Sequence, residues 1–239
     1  MKKNNPLAGG PDGLAYTARL PLSSATLNWL ASLVRGHLKK IGSRWRALPA
    51  GKIAAIVLAV LRCDQRSGDL AGGNGIHRTT VTRWVREVVG LLAARAPRLG
   101  RTLKRITRTG GGVVLLDGSL IRTRRRTGTV NRKSYSGKHK HHGLLVIALT
   151  DGKGRLLWVS AARPVRTSEI TGYKAARNRP LTRGQKLSNK ALAAVRAPVE
   201  HGFAHLKNWR VLGKVRTDPK WATALVRALL VLTNREVSR

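Results

Sequence analysis

The period of the apolar positions changes twice along this chain. From residue 23 the spacing is helical. Ser23-Ser24 offers an N-cap, and Leu27, Leu30, Leu33 and Val34 then fall at i, i+3, i+6 and i+7. A second helix is predicted over 51–62, with Ile53, Ile56, Val57, Val60 and Leu61 on one face. A further helix runs through Val81, Val85, Val88, Val89 and Leu92 and ends before Pro97. From Gly110 the pattern becomes that of strands. Gly111 and Gly112 introduce Val113-Val114-Leu115-Leu116, which run straight into Asp117-Gly118. Such a run reads as a short strand buried on both faces, with Asp117 at its tip. Leu144 to Leu149 reads as a second strand, Thr150 to Gly154 as a hairpin turn, and Leu156 to Ala161 as the return strand. Asp151-Gly152 at that tip is read as turn chemistry.

The helical period then returns. Thr182 with Gln185 forms a capping box for a long helix whose apolar face is Leu187, Leu192, Val195, Val199, Phe203 and Leu206. Pro198 must bend or interrupt it. A last helix is predicted from Asp218 as N-cap and Pro219 as its first residue, burying Trp221, Leu225, Ala228, Leu229 and Val231 or Leu232 before Asn234. The fold class is therefore α+β, or α/β, with helices at both ends. The expected organisation is a loose Gly- and Pro-bearing lead-in (1–22), a helical domain (23–97), a basic linker (98–112) and a strand-containing domain (113–236).

Composition sharpens the choice of partner. Hydrophobic residues make up 42% of the chain, enough for a real core. Lys and Arg number 47 against 10 Asp and Glu, a net charge of +37. A polyanion must neutralise that charge, and nucleic acid is the leading one. A membrane surface is the competitor, but no apolar run is long enough to span a bilayer. Residues 1–6 lack the apolar segment of a signal peptide, and the single cysteine, Cys63, excludes an internal disulfide and a thiolate zinc cage. A cytoplasmic protein is expected. Few aromatic residues, 4% of the chain, argue against an RNA-binding module built on base stacking.

Residues 69–84 have the spacing of a helix-turn-helix. Ala71 supplies the small residue where two helices pack closely, Gly75 the turn residue with positive φ, and Val81 the apolar anchor of the second helix, with Ile76 at the turn. The second helix would expose His77, Arg78, Thr79, Thr82 and Arg83 to phosphates and base edges in a major groove. An ordinary helical corner with a solvated basic face is the alternative. Gly72-Gly73 weakens the first helix.

A second basic run holds Arg122, Arg124, Arg125, Arg126, Arg132, Lys133, Lys138, His139, Lys140, His141 and His142 around Tyr135-Ser136-Gly137. Without a carboxylate or cysteine nearby, the histidines read as phosphate-facing or solvated rather than as metal ligands. In the later helix, Lys207 and Arg210 add cations, and Glu200 stands out as an acid in basic surroundings. Asp117 and Glu200, on separate elements, could hold a hard divalent cation acting on a phosphodiester. A strand-end cap and an ion-pair partner are the alternative readings.

Several stretches together are similar to insertion-sequence transposases of the DDE superfamily. They are Leu115 to Ile121, Tyr135 to Gly143, Gly154 to Ser160, Pro180-Leu181-Thr182, Val199-Glu200-His201 and Leu206 to Leu212. The resemblance covers about residues 50–236, in order. It implies an RNase H-like fold holding Asp, Asp and Glu around Mg2+ or Mn2+, with Asp117 as the first acid and Glu200 as the third. The second acid, in an Ala-Asp-x-Gly-aromatic motif, has no counterpart here. Between Asp117 and Glu200 the only acids are Asp151 and Glu169. The chain passes from Ile170 to Gly172-Tyr173-Lys174 as though a helix and a central strand were deleted near 170–172. The resemblance thus implies an N-terminal helix-turn-helix domain before an incomplete RNase H-like domain with C-terminal helices. It implies a bacterial, nucleoid-associated protein that binds double-stranded DNA at terminal inverted repeats, in some cases as a homo-oligomer, with catalysis defective in this copy. Arg124, Arg125, Lys138, Lys140, Lys207 and Arg210 would join the helix-turn-helix residues on DNA. A non-catalytic repressor or competitor of a full-length transposase is the alternative.

Overall fold

The structure is a computed structural model that describes residues 20–43, 48–108, 114–123, 129–137, 139–165, 199–215 and 218–237. Five helices come first: α1 (Ser24–Lys40), α2 (Ala50–Cys63), α3 (Ser67–Gly72), α4 (Arg78–Ala93) and α5 (Leu99–Arg108). Strands β1 (Val114–Arg122), β2 (Tyr135–Ser136), β3 (His141–Asp151), β4 (Leu156–Val159) and β5 (Arg163–Pro164) follow. Residues 199–207 form α6, and α7 is Pro219–Val237.

Helix ends sit where the side chains provide partners. Ser23 Oγ accepts from the Thr26 amide at the start of α1. Asp218 Oδ1 accepts from the amides of Lys220 (3.0 Å) and Trp221 (3.3 Å) at the start of α7. The last helix runs past Asn234 to Val237, because its buried stripe continues through Leu232 and Thr233. The basic stretch expected as a linker is helical from Leu99 to Arg108. Its cations obscure the helical spacing of Leu99, Leu103 and Ile106.

All strand pairs are antiparallel, and β3 is the axis of the sheet. Strand β1 runs along one edge of β3 from Val114↔Asp151 to Arg122↔Gly143. Strands β2, β5 and β4 share the other edge, through Tyr135↔His142, Leu145↔Arg163 and Ala148↔Val159. Side chains directly opposite share a face. Ile121, Leu144, Val146, Ala148, Leu156 and Val159 therefore form the inner face and join the helical core. The outer face of β1 is open, with Leu116 65% exposed. Within the expected run, Val114–Gly118 is thus not a strand buried on both faces, and Val113 lies outside the described residues. Asp117 also lies inside β1, not at its tip, because pairing with β3 carries the strand on to Arg122.

One core connects these elements. Helix α7 is its spine, with Ala222, Leu225, Val226, Ala228, Leu229, Leu230 and Leu232 buried, and α4 packs along it. Trp209 is buried, and its Nε1–H donates to Thr233 Oγ1 at 2.9 Å. Val199, Phe203 and Leu206 turn α6 inward. Gly202 brings that helix against the hairpin, where a Cβ would stand 2.7 Å from the Gly154 carbonyl oxygen. Asn234 Nδ2 donates to the Leu156 carbonyl at 2.8 Å, tying α7 to β4.

Candidate nucleic-acid interface and acidic residues

Helix α4 is amphipathic in the strict sense. Val81, Trp84, Val85, Val88, Val89 and Leu92 are buried, while Arg78, Thr79, Thr82, Arg83 and Arg86 are exposed. The turn before it has the expected chemistry: Ala71 is 3% exposed, Val81 is fully buried, and Gly75 has φ +63°. The Ile76 amide donates back to the Ala71 carbonyl at 3.0 Å, closing the turn between α3 and α4. The exposed face of α4 opens on a groove of about 760 Å3. Arg78, Thr79, Thr82 and Arg83 line it together with Arg66 and Arg86, and Asp69 is the acid on its wall. His77 is exposed and has a local role as well. It is the N-cap of α4, and its Nδ1 is 3.3 Å from the Thr79 amide and 2.8 Å from Thr79 Oγ1. That use of the ring nitrogen satisfies an otherwise orphaned helix donor.

Arg66 and Arg86 were not singled out by the sequence. Arg86 could have been found, since it follows Thr82 and Arg83 by four and three residues and so shares their helix face. Arg66 could not, because its approach depends on how α3 packs on α4.

The second basic group lies at the far end of the sheet. Lys140, with φ +51°, lines a cavity with Thr123, Tyr135, His141 and His142. Lys207 and Arg210 are exposed at the end of α6 and just beyond it. Arg124, Arg125 and Lys138 lie outside the described residues, as do the Thr182–Gln185 capping box, Glu169 and the 170–172 junction.

The acids divide by the work they do. Asp64 pairs with Lys214, and Glu87 lies 3.0 Å from His37 Nε2. Glu236 accepts from Ser23 Oγ at 2.6 Å, and Asp218 caps α7. Asp151 holds the hairpin: Oδ1 accepts from the amides of Lys153 (3.0 Å) and Arg155 (2.9 Å), and Oδ2 takes the Arg155 guanidinium at 2.7 Å. Burial alone would raise its pKa, but the Arg155 amide, guanidinium and charge, with the Lys153 amide, outweigh that and hold it below the ordinary carboxylate value. An acid so engaged is committed to its turn, as its Asp-Gly sequence suggested.

Asp117 and Glu200 have no such assignment. Asp117 is half-buried on the inner face, opposite Ala148, and among the described residues its Oδ1 accepts only from the next amide, Gly118, at 2.7 Å. Glu200 is exposed on α6, one residue beyond the buried Val199. Neither forms an ion pair with Lys or Arg among the described residues. Leu156, against which Gly202 of α6 packs, faces Thr150, and Thr150 faces Leu115, two residues before Asp117. Helix α6 therefore covers the same face of the sheet that carries Asp117.

Residues 165–234 match the family model of the DDE superfamily endonucleases. The matched stretch takes in Glu200, α6 and most of α7, and it supports a place for the chain in that superfamily. Neither the curated proteins nor the solved structures provide a match. Nucleases of this superfamily generally use divalent metal ions and act on DNA. Among the described residues, however, no three His, Cys, Asp or Glu side chains gather as a metal-holding group. Asp117 and Glu200 do not by themselves supply the three-carboxylate set that the family resemblance implies. No helix of the described residues is long and apolar enough to cross a membrane.

Proposed function

We propose that this chain is a transposase of a bacterial insertion sequence that binds element-end DNA and has lost catalysis. The superfamily match over the stretch that contains Glu200 carries this reading. Asp117 and Glu200 are its surviving first and third acids, and Mg2+ or Mn2+ is the ion they would hold. Asp151 cannot replace the second acid without giving up the hairpin it closes. The loss of a helix and strand near 170–172 accounts for the missing motif.

DNA is held by two kinds of contact. Arg78, Thr79, Thr82 and Arg83 enter the major groove from α4, with Arg66 and Arg86 on flanking phosphates. Lys140, Lys207 and Arg210, with Arg124, Arg125 and Lys138, hold the backbone further along. The helical part (23–97) is the recognition domain, and 113–236 is the reduced nuclease domain. Terminal inverted repeats are the natural target, with two copies of the chain on paired ends, in a nucleoid-associated setting.

The α4 groove needs neither Asp117 nor Glu200, which favours a second role. The chain would occupy element ends as a repressor or competitor of a full-length transposase. Binding of the full chain to element-end and scrambled duplexes, followed by fluorescence anisotropy across a salt series, tests the DNA reading. Wild type is expected to prefer element ends and to weaken steeply with salt. Equal preference in wild type and in the Arg78→Ala, Arg83→Ala double variant would remove α4 from recognition.

A further inference from the structure

The cavity at the end of β1 is not used by the reading above, beyond the single cation Lys140. It measures about 450 Å3 and is lined by Thr123, Tyr135, Lys140, His141 and His142. The Thr123 amide donates to the His142 carbonyl at 2.9 Å, which fixes the two walls against each other. Tyr135 is 44% exposed, and its ring stands 5.1 Å from that of His142, tilted by 59°. Thr123 Oγ1 and His142 Nδ1 are both buried and have no hydrogen-bond partner among the described residues. One cavity thus combines an accessible aromatic residue with a lysine and a histidine at the surface, on walls held together by a backbone hydrogen bond.

We propose that this cavity takes a single unpaired nucleotide of a DNA strand. The base lies against Tyr135, Lys140 and His141 meet the phosphate, and Thr123 and His142 form the wall behind them. Each part has a physical reason. Base stacking on an aromatic ring tolerates any base, and it requires that the base be out of its duplex. A lysine serves phosphate as a point charge. The interior of a duplex could not bring a base face to the Tyr135 ring, because its bases are stacked on one another.

The cavity is also removed from Asp117. Thr123 lies six residues beyond Asp117 along an extended chain, roughly 20 Å at about 3.3 Å per residue. That distance corresponds to about six base pairs of duplex. The nucleotide held here is therefore one that flanks the position of Asp117 on the same DNA, not one that reacts there. The inference rests on the DNA-binding reading but adds a preference that reading does not contain.

The test uses the full chain and a duplex with a single-stranded overhang carrying 2-aminopurine, whose emission falls when the base stacks. A blunt duplex of the same sequence is the reference. Wild type is expected to bind the overhang about tenfold more tightly than the blunt duplex and to quench the probe, in line with the worth of a base–aromatic stack. Tyr135→Phe keeps both effects. Tyr135→Ala loses the quenching and brings overhang affinity down to the blunt-duplex level. Equal affinity for the two DNAs, or quenching that survives Tyr135→Ala, would overturn the proposal. If blunt duplex binds in an Arg78-dependent way but the overhang adds nothing, only this inference fails. If neither DNA binds, the DNA reading fails with it.

Discussion

With 10 acids among 239 residues, each carboxylate stands out against a basic background. Asp64, Glu87, Asp151, Asp218 and Glu236 serve caps, turns and pairs that hold the fold. What remains at Asp117 is a half-buried carboxylate whose partner among the described residues is local, a position that mutation should tolerate structurally. Asp117→Asn is expected to leave the thermal midpoint within a degree or two, about the effect of a few tenths of a kcal/mol. A large fall would make Asp117 a structural residue. Two glycines are less tolerant. Gly75 holds φ +63°, so Gly75→Val should destabilise by about 1–2 kcal/mol in a denaturant titration, with the turn ahead of α4 loosened. At Gly202 a Cβ would meet the backbone oxygen of Gly154 at 2.7 Å, so Gly202→Ala must push α6 off the hairpin. The expected cost is about 1–3 kcal/mol, in the range of overpacking.

Among the elements, the helices were the more legible. Ser23 and Asp218 announced α1 and α7 because a cap is a local signal, decided by a few adjacent residues. The turn between α3 and α4 was legible for the same reason: Ala71, Gly75 and Val81 have to occupy those places for the helices to close on each other. Strand β1 was misread because its apolar run says nothing about which face is covered. Leu115 and Leu116 look alike in sequence, yet one packs against the core and the other is 65% exposed. Helix α5 was hidden by its own cations. The groove residue Arg66 and the Thr123–His142 cavity depend on packing between distant segments, which no local pattern encodes.

The β3–β4 hairpin carries a pH prediction of its own. Asp151 has a lowered pKa, so its charged form favours the folded hairpin. Its contribution is complete above the ordinary carboxylate value of 3.8 and is lost as pH falls through the lower folded value. Asp151→Asn should therefore lower the thermal midpoint above that range, and the gap to wild type should narrow below it. A gap that stays constant with pH would mean that the charge on Asp151 plays no part.

For the whole molecule, a net charge of +37 sets affinity for any polyanion, and selectivity must come from shape and placed groups. A single core running from α2 and α4 through α7 to the sheet couples the α4 groove to the face that bears Asp117. On the proposed function, DNA held by α4 would be held by the same body that carries Asp117 and Glu200. Binding and chemistry can part company in such a molecule, since the groove stays intact when the acids are incomplete. Element-end duplex incubated with the full chain and Mg2+ or Mn2+, then resolved for strand breaks, tests this most directly. The account predicts a bound but uncut duplex, with wild type and Asp117→Ala indistinguishable. Cleavage by wild type that disappears in Asp117→Ala would contradict it.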